Sequence, residues 1–278
     1  MAKHLYSAKS IILFRFYKDF EIARERIKIL RHFNPSIPVH GLFGGQPEDH
    51  ERALNVLGDL TENIWNFGSN ETPKWKWFHT DLIQKAWFRD IGHKIDFDFM
   101  FSYEYDILTA ASLLDIYPDT DDNTLTLAAV DLLKNVEKRW DWTSKEPSKS
   151  RFVQFSNYMN QKYSIKQQKY VCLGPGPLLP RKFIEKFSDT EDIDLVHEEI
   201  AYPAYAEALG FKLADHGMHP GFYRGSINDL HFFNCNGDHP SLPEIFQQLR
   251  LPNGRRSFHP VKLQVTLEDI ILNLAPDN

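Results

Sequence analysis

Between residues 11 and 43 the sequence alternates strand, helix and strand, and this restricts the fold more than any other segment. Ile11-Ile-Leu-Phe-Arg-Phe16 is a short apolar run of strand formers. From Phe20 to His32 the apolar residues recur at helical spacing. Phe20, Ala23, Ile27 and Leu30 share one face, while Glu21, Arg24, Glu25 and Lys28 lie elsewhere. Asn34-Pro35 stops the helix, and Ile37 to Phe43 reads as a second strand ended by Gly44-Gly45. The loop lengths suit a parallel pair of strands joined through the helix.

The alternation continues downstream. Thr80 to Ile91 reads as a helix, Asp96 to Ser102 as a strand, and Leu125 to Val130 as an apolar run with helix to about Arg139. Tyr170 to Leu173 is a strand ending at Gly174-Pro-Gly-Pro177, and Pro180 to Phe187 is a helix. Tyr202 to Leu209 is a helix closed by Gly210, and Phe211 to Ala214 is a strand. Trp140 to Ser150 reads as an exposed polar loop, and residues 235 to 260 as ordered loops. No internal repeat appears. The pattern predicts one α/β domain over residues 1–278, with a mainly parallel central sheet flanked by helices. In such sheets, ligands bind beyond the carboxyl ends of the strands.

A net charge of −6, with no basic stripe, argues against a nucleic-acid partner held through its phosphates. Ile11 to Phe16 is too short for a signal core and is broken by Arg15, and no run is long enough to span a membrane. The expectation is a cytoplasmic protein. Cys172 and Cys235 are far apart and read as buried thiols, not as a disulfide or a metal pair. The 21 Phe, 11 Tyr and 6 Trp exceed what a core strictly needs, so some can stack on sugar rings or bases.

The chemistry-bearing segment is Phe99-Met-Phe-Ser-Tyr-Glu-Tyr-Asp106, an apolar strand that runs into two acids. In extended backbone, residues i and i+2 point the same way, so Glu104 and Asp106 reach one point beyond the strand end. Two such carboxylates repel each other unless a cation lies between them, and oxygen ligands suit Mg²⁺ or Mn²⁺. A solvated strand end is the alternative. Asp96 and Asp98 stand at the beginning of the same strand and read as a solvated face.

Glu104-Tyr105-Asp106 at a strand end resembles the acidic metal motif of glycosyltransferases with the type A (GT-A) fold, usually Asp-x-Asp. The unit from Ile11 to Phe43 resembles the nucleotide-binding half of that fold. Gly174 to Phe183 resembles its strand, glycine-containing loop and helix. Val196-His-Glu-Glu199 resembles the acidic position that holds the catalytic base in inverting members. Here the two motifs read Glu-x-Asp and Glu-Glu, each lengthening a side chain by one methylene.

The resemblance implies a nucleotide-binding half over residues 1–106 and an acceptor-binding half over 107–278. It implies Glu199 as the general base if the reaction inverts the anomeric centre, or as a substrate-orienting acid if it retains it, with Glu198 beside it and His197 as an alternative base. It also implies a late histidine completing the metal shell, here His259 in Ser257-Phe-His-Pro-Val-Lys262, with Lys262 as a point charge on the diphosphate. His239, in Gly237-Asp-His-Pro240, competes for the metal role. Arg15, Phe16 and Tyr17 fall where the fold meets the nucleoside. Gly174 and Gly176 would let backbone approach a ligand, although Gly-Pro-Gly-Pro also makes a tight turn. No Walker loop and no Gly-x-Gly-x-x-Gly follows a strand.

The activity implied is transfer of a sugar from a nucleotide-sugar donor, UDP-linked by expectation, to a hydroxyl acceptor with Mn²⁺ or Mg²⁺ on the diphosphate. The alternatives are a metal-dependent hydrolase and a non-catalytic nucleotide- or carbohydrate-binding protein.

Overall fold

The computed structural model describes residues 4–222, 227–235, 237 and 239–274. Asp238, inside the Gly237 to Pro240 segment, lies outside them. The strands are β1 (Ser10–Phe16), β2 (Val39–Phe43), β3 (Asn63–Asn66), β4 (Phe99–Glu104), β5 (Leu108–Thr109), β6 (Thr124–Leu132), β7 (Tyr170–Pro180), β8 (Lys212–Asp215) and β9 (Ser257–Phe258). The first helices are α1 (Phe20–Phe33), α2 (His50–Leu57), α3 (Pro73–Phe78), α4 (Thr80–Asp90), α5 (Leu113–Ile116), α6 (Leu133–Val136) and α7 (Asp141–Ser144). They are followed by α8 (Ser148–Tyr163), α9 (Arg181–Ser188), α10 (Glu198–Leu209), α11 (Ile227–Phe232), α12 (Leu242–Arg250) and α13 (Leu267–Asn273).

The central sheet has seven strands in the order β3-β2-β1-β4-β7-β6-β8. β1 pairs in parallel with β2 and with β4, β2 with β3, and β6 with β8; β7 alone runs antiparallel to its neighbours. The chain moves outward from β1 to β3, then returns to place β4 on the other side of β1. That reversal is a topological switch point, where a crevice opens beyond the strand ends. The period of two along β1 serves two cores. Ile11 and Leu13 pack with Trp87, Phe97 and Phe183 on one face, while Ile12, Phe14 and Phe16 pack with α1 and Phe43 on the other.

The C-terminal segment is brought back to the sheet by a two-stranded ribbon. β9 pairs antiparallel with β5, with Leu108 opposite Phe258. The Val261 N–H donates to the Asp106 carbonyl at 2.7 Å. Buried Arg26 of α1 donates to the carbonyls of Val261 at 3.0 Å and Leu263 at 2.8 Å. These bonds fix a residue near position 259 beside the end of β4.

Several sequence expectations are corrected. Gly174 to Pro177 is no tight turn: β7 continues through it to Pro180, with bulges against β6. Residues 140–150 are not an exposed loop: they hold α7 and the start of α8, and Trp140 is buried. The later stretch read as loops contains α12, whose Ser241–Glu244 capping box is a local start signal. Cys172 is buried as expected, but Cys235 is exposed.

Helix α10 starts at Glu198, four residues before the expected Tyr202, so Pro203 lies inside it rather than in its first turn. A proline there cannot donate to the carbonyl four residues back, which is that of Glu199. The buried Cys172 thiol donates to this carbonyl instead, at 3.5 Å. Gly210 closes the helix with φ 81°, the left-handed conformation that favours glycine. No described helix is long and apolar enough to cross a membrane.

Candidate active site

A cleft of about 620 Å³ opens beyond the carboxyl ends of β1, β2 and β4. Because β7 runs antiparallel to β4, its N-terminal part, with Gly174, borders the same cleft. Among the described residues, one group of side chains could hold a metal ion: Glu104, Asp106 and His259, each offering a ligand atom within 4.8 Å of the others. The His259 Nε2 is 3.6 Å from Glu104 Oε2 and 3.7 Å from Asp106 Oδ1. Its Nδ1 lies 2.6 Å from the Asn234 carbonyl oxygen. That contact places the proton on Nδ1 and leaves the Nε2 lone pair toward the acids, the usual orienting bond of a ligating imidazole. Two carboxylates and one imidazole fit Mn²⁺ or Mg²⁺.

The charges agree with that fit. Burial alone would raise the Glu104 pKa, but Arg15 and His259 outweigh it and hold it at about 2. Asp106 is raised by burial and by Glu104, against His259 and Lys262. Burial disfavours a proton on His259, yet the two acids leave its pKa above the ordinary value. The trio thus attracts positive charge, as a proton on His259 or as a cation on its Nε2. His239 is exposed, its Nδ1 lies 3.3 Å from the Pro260 carbonyl, and it is not one of the trio.

Arg15 joins this trio to a second acidic pair. Its guanidinium donates to Glu104 and, at 3.1 Å, to Glu198, and only 5% of the side chain is exposed. Arg15 therefore holds carboxylates in place; both its bonded nitrogens face acids, not an open donor site. Glu198 and Glu199 open α10, whose N-cap is His197. The His197 Nδ1 accepts from the Glu199 N–H at 3.3 Å. Both Glu199 oxygens are engaged: Oε1 by the Gly174 N–H at 2.9 Å and Oε2 by the Trp142 indole N–H at 2.6 Å. Burial still dominates, taking Glu199 up to about 8 against those two donors, and Glu198 up to about 7 against Arg15. His197 is pushed down to about 3 by burial, against the pull of Glu104, so it is a poor proton acceptor at neutral pH.

The remaining sequence-predicted residues divide. Tyr17 and Lys262 are exposed and line the cleft, with Tyr17 perpendicular to Tyr105 at 5.4 Å between ring centroids. Phe16 also reaches the cleft, but it is 2% exposed and packs against Phe20 and Phe43. Gly174 lines the cleft, and a Cβ there would stand 3.0 Å from Glu198 Oε1, close enough to press on that carboxylate. Gly176 is not among the lining residues. Its φ of 71° turns its carbonyl to the buried Tyr117 hydroxyl, 2.6 Å away.

Sequence reasoning missed an aromatic wall. His197 stacks on Trp142 at 5.1 Å and 13°, with Trp77 and Phe78 around them at ring-centroid distances of 5.2 to 6.1 Å. Trp77 is 54% exposed. Lys76 and His219 were missed as well, and both are buried residues lining the cleft. The only signal for the wall was the density of aromatics in Trp75-Lys-Trp-Phe78 and Trp140-Asp-Trp142.

No family model matches the chain, and no curated protein matches it. Among solved structures it is similar to the galactosyltransferase LgtC in complex with donor and acceptor sugar analogues, at 18% identity over 74% of this chain and 72% of that chain, TM-score 0.39. It is also similar to the mannosyltransferase PcManGT from Pyrobaculum calidifontis in complex with GDP-Man and Mn²⁺, at 12% identity over 75% and 54% of the two chains, TM-score 0.42. With the bifunctional glycosyltransferase WbbM it shares 10% identity over 97% of this chain and 50% of that one, TM-score 0.42.

Proposed function

We propose that the protein transfers a sugar from a nucleoside-diphosphate sugar, with UDP as its nucleotide, to a hydroxyl-bearing acceptor. One observation carries the reading: a Glu-Asp-His trio fit for a divalent cation faces the same cleft as a buried, doubly bonded glutamate. Held by Glu104, Asp106 and His259, Mn²⁺ or Mg²⁺ would neutralise the charge that builds on the departing diphosphate. Lys262 adds a point charge on the same side. Tyr17, beyond the end of β1, offers a face to the nucleoside. In this reading the cleft's nucleotide side comes from residues 1–106 and its acceptor side from 107–278.

Glu199 takes the proton from the acceptor hydroxyl. Its two donors, Gly174 and Trp142, orient the carboxylate, and Glu198 beside it is tied to Arg15. Because burial holds Glu199 protonated up to about 8, its ionised fraction grows through neutral pH. Arg15 keeps Glu104 ionised as a ligand.

Calorimetry with UDP, GDP and CDP, with and without Mn²⁺, tests the reading. Binding of one nucleotide should require both the metal and the Asp106 carboxylate, so that Asp106→Asn loses about tenfold or more of the metal-dependent affinity and abolishes transfer while melting like wild type. Nucleotide binding that ignores metal and Asp106 would favour a non-catalytic binding protein. Absence of binding to every nucleotide would sink the glycosyltransferase reading.

A further inference from the structure

Lys76 is a buried cation in the cleft wall that makes no close ion pair among the described residues, its nearest opposing charges being the more distant Glu71 and Glu48. It lies on α3 and is 5% exposed. An ammonium has three donors. Among the described residues its one hydrogen bond goes to the Gly45 carbonyl at 2.9 Å, its ammonium stands 6.0 Å from the Phe67 ring centre, and it makes no ion pair. The backbone at Gly45 is pinned: a Cβ there would fall 2.6 Å from the Tyr17 carbonyl oxygen and against the Phe43 ring. The Lys76 head group is therefore fixed just beyond the end of β2, next to Tyr17. A buried lysine left with spare donors is unfavourable unless a ligand accepts from it.

The sheet order says which part of a ligand that is. Glu104 and Asp106 leave the end of β4, Tyr17 the end of β1, and Gly45 the end of β2, three neighbouring strands. The Lys76 head group thus stands two strand spacings, about 10 Å, from the acids that would anchor a diphosphate. Phosphates held at the acids do not extend that far in this direction, whereas a nucleoside does. Around Lys76 the cleft is lined by Tyr17, Leu42, Gly44 and Pro73, a setting for a flat ring with apolar faces and a polar edge.

We infer that Lys76 reads the nucleobase by donating to the exocyclic carbonyl oxygen that an amino group replaces in the counterpart base, at position 4 of a pyrimidine or 6 of a purine, so that the site favours a keto base over its amino counterpart. The inference rests on the nucleotide reading above. An amino group at the same place would set donor against donor.

The test uses two matched pairs, UDP with CDP and inosine diphosphate with ADP, in which a ring carbonyl is exchanged for an amino group. Wild type should bind the keto member of whichever pair its ring size admits about 10- to 100-fold more tightly. Lys76→Met should bring that ratio within about threefold, through loss of affinity for the keto member alone. Lys76→Gln, which keeps a donor, should retain part of the preference, and a melting curve confirms that each variant folds. Equal losses for both members would overturn the inference by assigning Lys76 to ribose, phosphate or a base carbonyl that both members share, and so would an unchanged ratio. Failure of wild type to bind any nucleotide would instead remove the underlying reading.

Discussion

Glu104 and Asp106 leave the end of a strand, and Glu198 and Glu199 open a helix; the two pairs share one cleft and one arginine, yet Glu104 is held ionised while both helix acids, like Asp106, are raised. Glu104 is held at about 2, whereas Glu198 and Glu199 rise to about 7 and 8. Backbone position would predict the reverse. A helix N-terminus favours an anion by about 0.3–1 kcal/mol, which is less than one pKa unit. Burial overrides it on α10, where the Glu198 side chain is 3% exposed against 28% for Glu104. The cations are also unevenly shared. Glu104 is flanked by Arg15 and His259, Glu198 by Arg15 alone, and Glu199 only by neutral N–H donors. Glu104 is thus prepared to hold a cation, and the helix pair to exchange a proton.

Removing the proton-exchanging member should have the largest effect. Glu199→Gln is expected to lower the transfer rate about 10²- to 10⁴-fold while leaving metal-dependent nucleotide binding within a few-fold of wild type. The sign of the pH dependence follows from the raised pKa. Glu199 is protonated below about 8 and ionised above it, so the wild-type rate should climb with pH and level off beyond that value. In the Gln variant the climb should vanish. A wild-type rate that stays flat across the same range would take Glu199 out of the base role.

Arg15→Met attacks what the pairs share. It leaves buried Glu198 and half-buried Glu104 without their common cation, and breaking a buried pair in this way costs about 3–5 kcal/mol. Urea unfolding should show that loss, and Glu198→Gln in the same chain should recover part of it. An unchanged midpoint would mean that Arg15 is not what separates the two pairs.

The two pairs also differ in how far the sequence revealed them. Glu104 and Asp106 were legible as an acid-x-acid pair at the end of an apolar strand, but β4 stops at Glu104, and Asp106 stands in the turn beyond it, where the Val261 N–H holds its backbone, so the alternation of a strand is not what aims it. Local periodicity gave the β1–α1–β2 unit and the apolar strand before the acids. Glu198 and Glu199 could be located, but not their surroundings. Trp142 reaches Glu199 from 57 positions away along the chain, out of a segment whose polar composition read as an exposed loop. The late start assigned to α10 had a similar origin. Pro203 reads as a first-turn residue, and only the distant Cys172 thiol explains how its carbonyl partner is satisfied inside the helix. Gly176 was misread because a positive φ serves a buried tyrosine as readily as a ligand. Arg15 was placed correctly at the strand end, but its two acidic partners come from 89 and 183 positions away.

The smallest effect should come from Trp142→Phe, which isolates one hydrogen bond. Phenylalanine keeps an aromatic ring against His197 and Phe78 but loses the indole N–H that reaches Glu199 Oε2. That donor favours the ionised carboxylate and so works against burial. Without it, the Glu199 pKa should move further up, by about one unit, since a hydrogen bond to a charged group contributes about 1.5–3 kcal/mol and the remaining Gly174 donor and water compensate in part. The pH–rate curve should therefore shift to the alkaline side by that amount, with its upper plateau near wild type. A purely structural role for Trp142 would lower the plateau and leave the curve's position unchanged. If the curve does not move, burial alone sets Glu199 apart from Glu104, and the neutral donors on α10 orient the carboxylate without tuning its charge.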